Sequence, residues 1–558
     1  MKELNLLSPV QRFIRLLKVE RKELYSIYLF AIFNGLINLS LPLGIQSIIN
    51  LIGGGVVSSS WIILVLVVIL GVAMSGVLQV FQLGVNENLQ QKIFSKAAFE
   101  FAYRIPKFKL ESVNQYYVPE MVMRFFETVS IQKGLSKILV DFSTASLQVI
   151  FGLILLSIYH PFFILYSILF VLIVFLIIRF TGMRGLNTSI TESKYKYEVV
   201  HWLVDLARTM ESFKMAGNTD MPLQKTNAKV KGYLSSRQSH FRILKIQYYN
   251  LIAFKILVTA GLLIIGGALV IGQQMNIGQF VAAEIIIILL ISSVEKLLYS
   301  MDTIYDVLTA VEKLGAITDL PLEKLGGKEF VSEGEFEKGI GLKLHQIKYK
   351  FLGETEYILK GINLEINPGD RVCLSGENGS GKSMLMHLFA GLYQDFEGSL
   401  TYNDVPLSNI NLNSLRDQIG ISFTKEDIIQ GTIYENITMG REDVDIDEVY
   451  HVAEIIGLKD FVLTLPDGFE TYLHPEGMNL PKSRILKIKL ARCILSKPKL
   501  ILIEDHIHLL EKKNRDRVLD YILDKKNNWT AVIICNEPEV SNKFDYKLTI
   551  SDGIVVQQ

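Results

Sequence analysis

From Leu24 to Asn86 the sequence contains no Asp, Glu, Lys or Arg. A water-soluble helix or sheet needs at least one polar face, and this run supplies none. A bilayer span needs about 20 mostly apolar residues, so the run has room for two. Inside lipid every backbone N–H and C=O must be paired within the segment, which makes these spans helices. Similar runs later in the chain give six expected spans, at 24–49, 61–85, 138–159, 162–180, 250–272 and 278–300. Mean hydropathy is +0.31, although 20% of the residues are charged. The two values coexist because the charge is unevenly placed, the region after Asp302 having ordinary soluble composition.

The connections carry the orientation. The N-terminus and the segments 86–137 and 181–247 are rich in Lys and Arg, whereas Gly53–Ser60, His160–Pro161 and Gly272–Gly278 carry neither. Positive residues stay on the cytoplasmic side. Both termini and both long segments are therefore expected in the cytoplasm, with the chain a multi-pass protein of the cell (inner) membrane. The long segments exceed simple connections. They read as membrane helices continued into the cytoplasm, reversing near Tyr116–Glu120 and Glu211–Thr219. Residues 8–22 read as an interfacial elbow helix, part of an elbow segment 1–23, with Ser8 as cap and Pro9 in the first turn. Val10, Phe13, Ile14 and Leu17 fall on one face, and Arg12, Arg15, Lys18 and Lys22 fall elsewhere. The segment is too basic for a cleaved signal peptide.

Lys255 and Glu284 fall inside expected spans. A charge at that depth marks a functional site by default. The plainer alternatives are that Lys255 snorkels from its cytoplasmic end or that the two residues pair. Formal net charge is zero, which implies no nucleic-acid partner. The three cysteines, Cys373, Cys493 and Cys535, are odd in number and widely spaced, which fits a reducing compartment rather than a disulfide framework.

In the soluble part, Gly376-Glu377-Asn378-Gly379-Ser380-Gly381-Lys382-Ser383 fits G-x-x-x-x-G-K-[ST]. The glycines let successive N–H groups turn toward phosphate oxygens. Lys382 supplies charge to the outer phosphates and Ser383 a hydroxyl to Mg2+. A helix opening here, through Met384, points its positive end at the same anion. Strand patterns at 341–350, 357–366, 370–375, 398–402, 500–503 and 531–534 alternate with helical stretches near 447–456 and 483–496. That alternation indicates an α/β P-loop NTPase domain. The expected organisation is the elbow 1–23, an all-α six-helix transmembrane domain 24–310, a linker 311–340 with Pro321, Gly326, Gly327, Gly334 and Gly339, and a nucleotide-binding domain 341–558.

Six spans with two long cytoplasmic loops, followed by a phosphate-loop domain, resemble a half-size ABC exporter. The soluble half matches that family in order. Tyr349-Lys-Phe351 stands for the adenine-stacking segment, followed by Gly376–Ser383, Arg416-Asp-Gln-Ile-Gly420, Gly431-Thr-Ile-Tyr-Glu-Asn-Ile437, Ala491-Arg492 and Leu500-Ile-Leu-Ile-Glu504-Asp505. Met210–Gly217 resembles the second coupling segment. The general look is similar to the bacterial peptide and type I secretion group, without an N-terminal peptidase domain.

The resemblance assigns roles and also exposes departures. The family's signature Leu-Ser-Gly-Gly-Gln clamps the γ-phosphate held by the opposite subunit, and here the aligned residues are Leu480-Pro481-Lys482-Ser483-Arg484. The serine hydroxyl and both glycines are gone. The family's strand ends in Asp, which helps hold magnesium through water, then Glu, which polarises the attacking water. Here Glu504 precedes Asp505. The magnesium-contacting Gln aligns with Thr424, the γ-phosphate-contacting His with Asn536, and the subunit-contact Asp with Glu511. ATP and Mg2+ binding are expected to survive, with Phe351 or Tyr349 on the base. Hydrolysis through Asp505, Glu504, Asn536 and Thr424 is expected to be slow.

The leading expectation is the ATP-binding and permease subunit of an ABC-type exporter, an ATPase-coupled translocase. It works as a dimer with a second half-transporter chain, as the degenerate half of a heterodimer or as a slow homodimer. The partners are membrane lipid and an exported substrate, with room for a periplasmic adaptor. The alternatives are an ATP-regulated membrane channel or a non-hydrolysing switch or scaffold with the same fold.

Overall fold

The computed structural model describes residues 8–19, 21–53, 59–114, 116–324, 326–330, 338–425 and 427–557. Residues 1–7 of the expected elbow, 54–58 of the first uncharged connection, and 331–337 of the expected linker, with Gly334, lie outside them. The chain divides into two units: Met1–Pro106 with Tyr116–Leu320, and Lys107–Gln115 with Pro321–Gln558.

The first unit is helical. Helix α1 (Pro9–Val19) precedes α2 (Arg21–Asn38) and α3 (Ser40–Gly53), which together make one long apolar run. The run breaks at Leu39 because Pro42 has no N–H to donate to Asn38. Then come α4 (Ser59–Arg104), the short α5 (Leu110–Val113) that belongs to the second unit, α6 (Val118–Met123) and α7 (Glu127–Lys137). Helices α8 (Ser143–Tyr159), α9 (Phe162–Arg208), α10 (Met210–Met215), α11 (Met221–Ile271) and α12 (Ile277–Thr318) complete the unit. Among the described residues, six helical stretches are long and apolar enough to cross a membrane. Helices α4, α9, α11 and α12 have 46, 47, 51 and 42 residues. At 1.5 Å per residue they are about 63 to 77 Å long, roughly twice the hydrocarbon core of a bilayer.

The second long segment reverses through α10, inside the expected 211–219. The first turns earlier than expected. Helix α4 stops at Arg104, two residues before Pro106, and residues 107–115 already belong to the other unit. Helix α12 runs on to Thr318, into the expected linker: Gly315 is accommodated within it, and the first proline comes only at Pro321.

Small residues let the helices of this unit approach closely. A Cβ added at Gly134 of α7 would stand 2.3 Å from Val307 of α12, and one at Gly185 of α9 would stand 2.4 Å from the Tyr305 ring. Polar side chains bind the same helices together. Gln247 donates to the hydroxyls of Thr181 (2.9 Å) and Tyr305 (2.8 Å), and Ser189 meets Thr309 at 2.9 Å. Lys255 pairs with Glu295 on α12 at 2.6 Å, not with Glu284, which is exposed. Arg12 of α1 is buried, not on an outward polar face, and meets Asp319 at 2.6 Å.

Among the described residues the second unit has a small two-stranded sheet, which pairs β7 (Gly431–Thr432) with β8 (Tyr472–Leu473), and two large ones. The larger has the order β12-β11-β3-β10-β9-β6. Its strands are β3 (Arg371–Gly376), β6 (Ile419–Ser422), β9 (Leu500–Ile503), β10 (Thr530–Ile534), β11 (Tyr546–Ser551) and β12 (Ile554–Gln557). All are parallel except β12. Strands β9 and β10 are buried along their whole length, the pattern of a sheet covered on both faces. The smaller sheet is antiparallel, ordered β2-β1-β4-β5, from β1 (Leu342–Tyr349), β2 (Leu359–Ile366), β4 (Glu397–Tyr402) and β5 (Val405–Pro406). Helix α13 (Lys382–Phe389) follows β3 through the phosphate loop, and α18 (Lys482–Leu495) precedes β9.

Arg371, at the start of β3, is almost fully buried. Its guanidinium donates to the carbonyls of Gly369 (3.0 Å), Asp524 (2.9 Å), Asn527 (2.8 Å) and Trp529, closing the turn that leads into β10. The strand that carries the phosphate loop is thus tied to its neighbour at its far end. Arg371→Met is expected to leave these carbonyls without their charged donor. Scanning calorimetry of the full chain should show the second unit less stable by about 3 kcal/mol, and a loss below about 1 kcal/mol would contradict this role.

Candidate functional site

The phosphate loop leaves β3 at its carboxyl end, where ligands sit in open parallel sheets. Gly376 has φ +148°, and a Cβ there would stand 2.2 Å from the Ile550 carbonyl, so only glycine fits. Gly381 has φ +105° and starts α13. Lys382 folds back over the loop, donating to the carbonyls of Gly376 (2.8 Å) and Glu377 (2.7 Å). Burial pushes its pKa below the ordinary lysine value, and Asp505 opposes that shift.

A cavity of about 420 Å³ opens beside the loop. Asn378, Gly379, Lys382, Ser383 and Met384 line it, with Phe351, Thr424 and Asp505 from other elements. Three features fit the phosphates of a nucleotide. The Ser380 hydroxyl is buried with no partner among the described residues. A Cβ at Gly379 would meet nothing within 4 Å, so the backbone there is open to a ligand. Lys382 occupies backbone carbonyls that a phosphate would replace.

Phe351 and Tyr349 are separated by the fold. Phe351 lines the cavity, whereas Tyr349 is 2% exposed in the core and edge-on to Phe351 and Tyr393. Burial also pushes its hydroxyl pKa well above the ordinary tyrosine value. Of the two expected base-stacking residues, Tyr349 is therefore out of reach.

The altered carboxylate pair is well placed for two different jobs. Glu504 follows β9 and is 5% exposed. Its Oε2 accepts from the Thr424 N–H (2.6 Å) and the Thr424 hydroxyl (2.7 Å), and the nearby Ser383 hydroxyl also favours the charged carboxylate. Burial alone would raise its pKa, but these donors outweigh it and hold the group below the usual glutamate value. Ser383 and Glu504 thus stand together where a divalent cation would be held. Asp505 is half-exposed on the cavity wall. Asn536 bridges it to the loop, donating to Asp505 Oδ2 (3.3 Å) and accepting from the Gly376 N–H (3.3 Å).

The aligned signature residues lie at the start of α18. Pro481 is its N-cap and offers no side-chain cap. Arg484 turns onto the Phe461 ring at 4.5 Å, and Lys482 is exposed. Four cavity-lining residues were not expected as site residues from sequence, Ile358, His387, Tyr393 and Ile534. His387 is one helical turn beyond Ser383, so the i, i+4 spacing was the available signal. Burial lowers its pKa, and the nearby Glu504 opposes that shift.

Residues 24–294 match the ABC transporter transmembrane region, and residues 359–506 match the ABC transporter family's ATP-binding region. The chain is 27% identical over 217 residues to an uncharacterized ABC transporter ATP-binding protein, YfiB, of Bacillus subtilis, covering 39% of this chain and 38% of that one. It is 24% identical over 246 residues to the alpha-hemolysin translocation ATP-binding protein HlyB of Escherichia coli O157:H7, covering 44% and 34%. It is 25% identical over 266 residues to an ATP-dependent lipid A-core flippase of Saccharophagus degradans, covering 48% and 43%. The chain spans less than half the length of these relatives. The fold matches that of a bacterial Atm1-family ABC exporter with ATP bound, at a TM-score of 0.80 and 18% identity, over 97% of this chain and 95% of that one. With a six-helix membrane region and a phosphate-loop region on one polypeptide, the chain belongs to the ABC transporter family and has the architecture of a half-size exporter.

Proposed function

We propose that this chain is the ATP-binding and permease subunit of an exporter that moves its substrate outward across the cell (inner) membrane, and that it works as one half of a dimer. The observation that carries this reading is a complete phosphate cradle, Gly376 to Ser383, on the same chain as six apolar helices. Both termini and the nucleotide-binding unit face the cytoplasm in this reading, as the placement of Lys and Arg supports.

ATP lies in the cavity with its base on Phe351. The N–H groups of the loop and Lys382 hold the phosphates, and Ser383 and Glu504 hold Mg2+. The bound ion supplies charge neutralisation for phosphoryl transfer. Asn536 fixes the position of Asp505, and its amide cannot take up a proton near neutral pH as histidine would. Asp505 holds the attacking water, but its side chain is one methylene shorter than glutamate. A misplacement of about 1 Å costs around 100-fold in rate. With Pro481, Lys482 and Ser483 in the signature loop, the second nucleotide site of the dimer is also weakened. We therefore read the chain as the degenerate half of a heterodimer whose partner supplies sound signature and carboxylate residues.

The nucleotide site is joined to the membrane helices by the short segment between α4 and α6. Within the second unit the Glu111 carboxylate accepts from the N–H of Asp395 (3.1 Å) and of Gln394, and Lys109 pairs with Asp395 at 3.1 Å. Tyr393, a wall of the nucleotide cavity, donates to Asn114 at 3.1 Å. Closure around ATP would reach α4 and α6 by this route.

ATP hydrolysis by the purified chain alone in lipid nanodiscs tests the reading. Nucleotide should bind, Lys382→Ala should weaken binding by at least about 100-fold, and turnover should be slow. Fast turnover that disappears in Lys382→Ala would overturn the degenerate half in favour of a self-sufficient homodimer. Asp505→Glu restores the missing methylene and is expected to raise turnover about tenfold or more, measured by phosphate release. An unchanged or lower rate would remove Asp505 from the water-positioning role.

A further inference from the structure

His387 stands apart from the packing residues around it. It lies on α13 one turn beyond Ser383, so the two side chains share a helix face. Its ring is held between Tyr393, stacked at 5.9 Å, and Phe423, edge-on at 4.8 Å. The ring lines the nucleotide cavity, yet neither ring nitrogen makes a hydrogen bond among the described residues. Nε2 points at the other oxygen of Glu504, Oε1, at 4.0 Å.

That separation is too long for a hydrogen bond. It is the separation of two donors sharing one cation. Ligands each about 2.1 Å from an ion lie about 3.0 Å apart at right angles and about 4.2 Å apart when opposite. The Ser383 hydroxyl stands beside the same carboxylate. Thr424, which aligns with the family's magnesium-contacting glutamine, spends its N–H and its hydroxyl hydrogen on the Oε2 oxygen of Glu504. The free oxygen of Glu504, the Ser383 hydroxyl and an imidazole that makes no hydrogen bond among the described residues therefore lie together beside the cavity.

We propose that His387, through Nε2, is a direct ligand of the divalent cation that accompanies nucleotide at Ser383 and Glu504. This rests on the reading of the cavity as a nucleotide site. The result is a mixed nitrogen and oxygen donor set. Imidazole suits zinc, iron and nickel, whereas magnesium and manganese favour oxygen donors and magnesium gives up water reluctantly. The site is thereby biased toward a first-row transition ion, with Mn2+ as its practical probe.

The test is pulsed electron paramagnetic resonance of the full chain in lipid nanodiscs, loaded with Mn2+ and a non-hydrolysable ATP analogue. The expected result is a nitrogen modulation on the Mn2+ signal that changes when the protein is made with 15N-histidine. It should vanish in both His387→Gln and His387→Phe, while fluorescence titration shows the nucleotide still bound. Phenylalanine keeps the aromatic packing, so loss in both variants separates ligation from fold. Mn2+ and nucleotide bound with no histidine modulation in the wild type would overturn the proposal. So would a modulation that persists in the two variants, since the nitrogen would then belong to another histidine. Failure of the wild type to bind Mn2+ and nucleotide at all would overturn the nucleotide-site reading, and the ligand proposal with it.

Discussion

A carboxylate taken out of water has to be supplied with donors, and the second unit is arranged around one such group. Glu504 follows β9 and Thr424 follows β6; the two hydrogen bonds between them tie these strand ends together, with Ser383 of α13 beside the same carboxylate. The two unusual residues complement each other in length. Relative to the family pattern the strand-end residue gains a methylene, and its partner after β6 shrinks from glutamine to threonine. The longer acid reaches what the shorter partner cannot. In the proposed reading, Glu504 and Thr424 are a matched exchange rather than two separate losses, and the position at Asp505 is the weakened one.

The first unit solves a different problem. Helices in lipid gain little from burying apolar surface against one another. Close approach and polar contacts have to do that work. Gly134 and Gly185 let α7 and α9 press against Val307 and Tyr305 of α12, and Gln247 bonds to both Thr181 and Tyr305. The Lys255–Glu295 pair adds a charged contact between α11 and α12. Its cost in an apolar setting is reduced because each charge meets its opposite and Tyr299 donates to Glu295 at 2.7 Å.

Much of this was legible in the sequence because the signals were periodic or rigidly spaced. The apolar runs gave six spans, and the glycine spacing gave a strand, a loop and a helix in the observed order. The buried strands at 500–503 and 531–534 are continuous apolar runs, which a covered parallel sheet requires. What the sequence did not disclose depends on contacts between distant segments. Lys255 pairs with Glu295 rather than Glu284 because helix rotation, not depth alone, selects the partner. Tyr349 and Phe351 are two residues apart and on the same side of a strand pattern, yet one is walled into the core. Residues 107–115 read as part of a membrane helix continued into the cytoplasm, ahead of a turn near Tyr116–Glu120, and their membership of the second unit depends on residues near 321 and 394.

That membership has a consequence for how the molecule is made. Lys109 and its partner Asp395 are 286 residues apart in the chain. At ordinary rates of synthesis, about 5–20 residues per second, roughly 15–60 s separate their emergence from the ribosome. During that interval the first hairpin presents a finished docking segment with nothing to dock on. Its composition suits the wait: Lys109, Glu111 and Asn114 are polar and stay hydrated until the sheet behind Tyr393 closes. The soluble unit cannot be completed by its own continuous stretch of chain: it needs residues 107–115, which are synthesised with the first membrane hairpin.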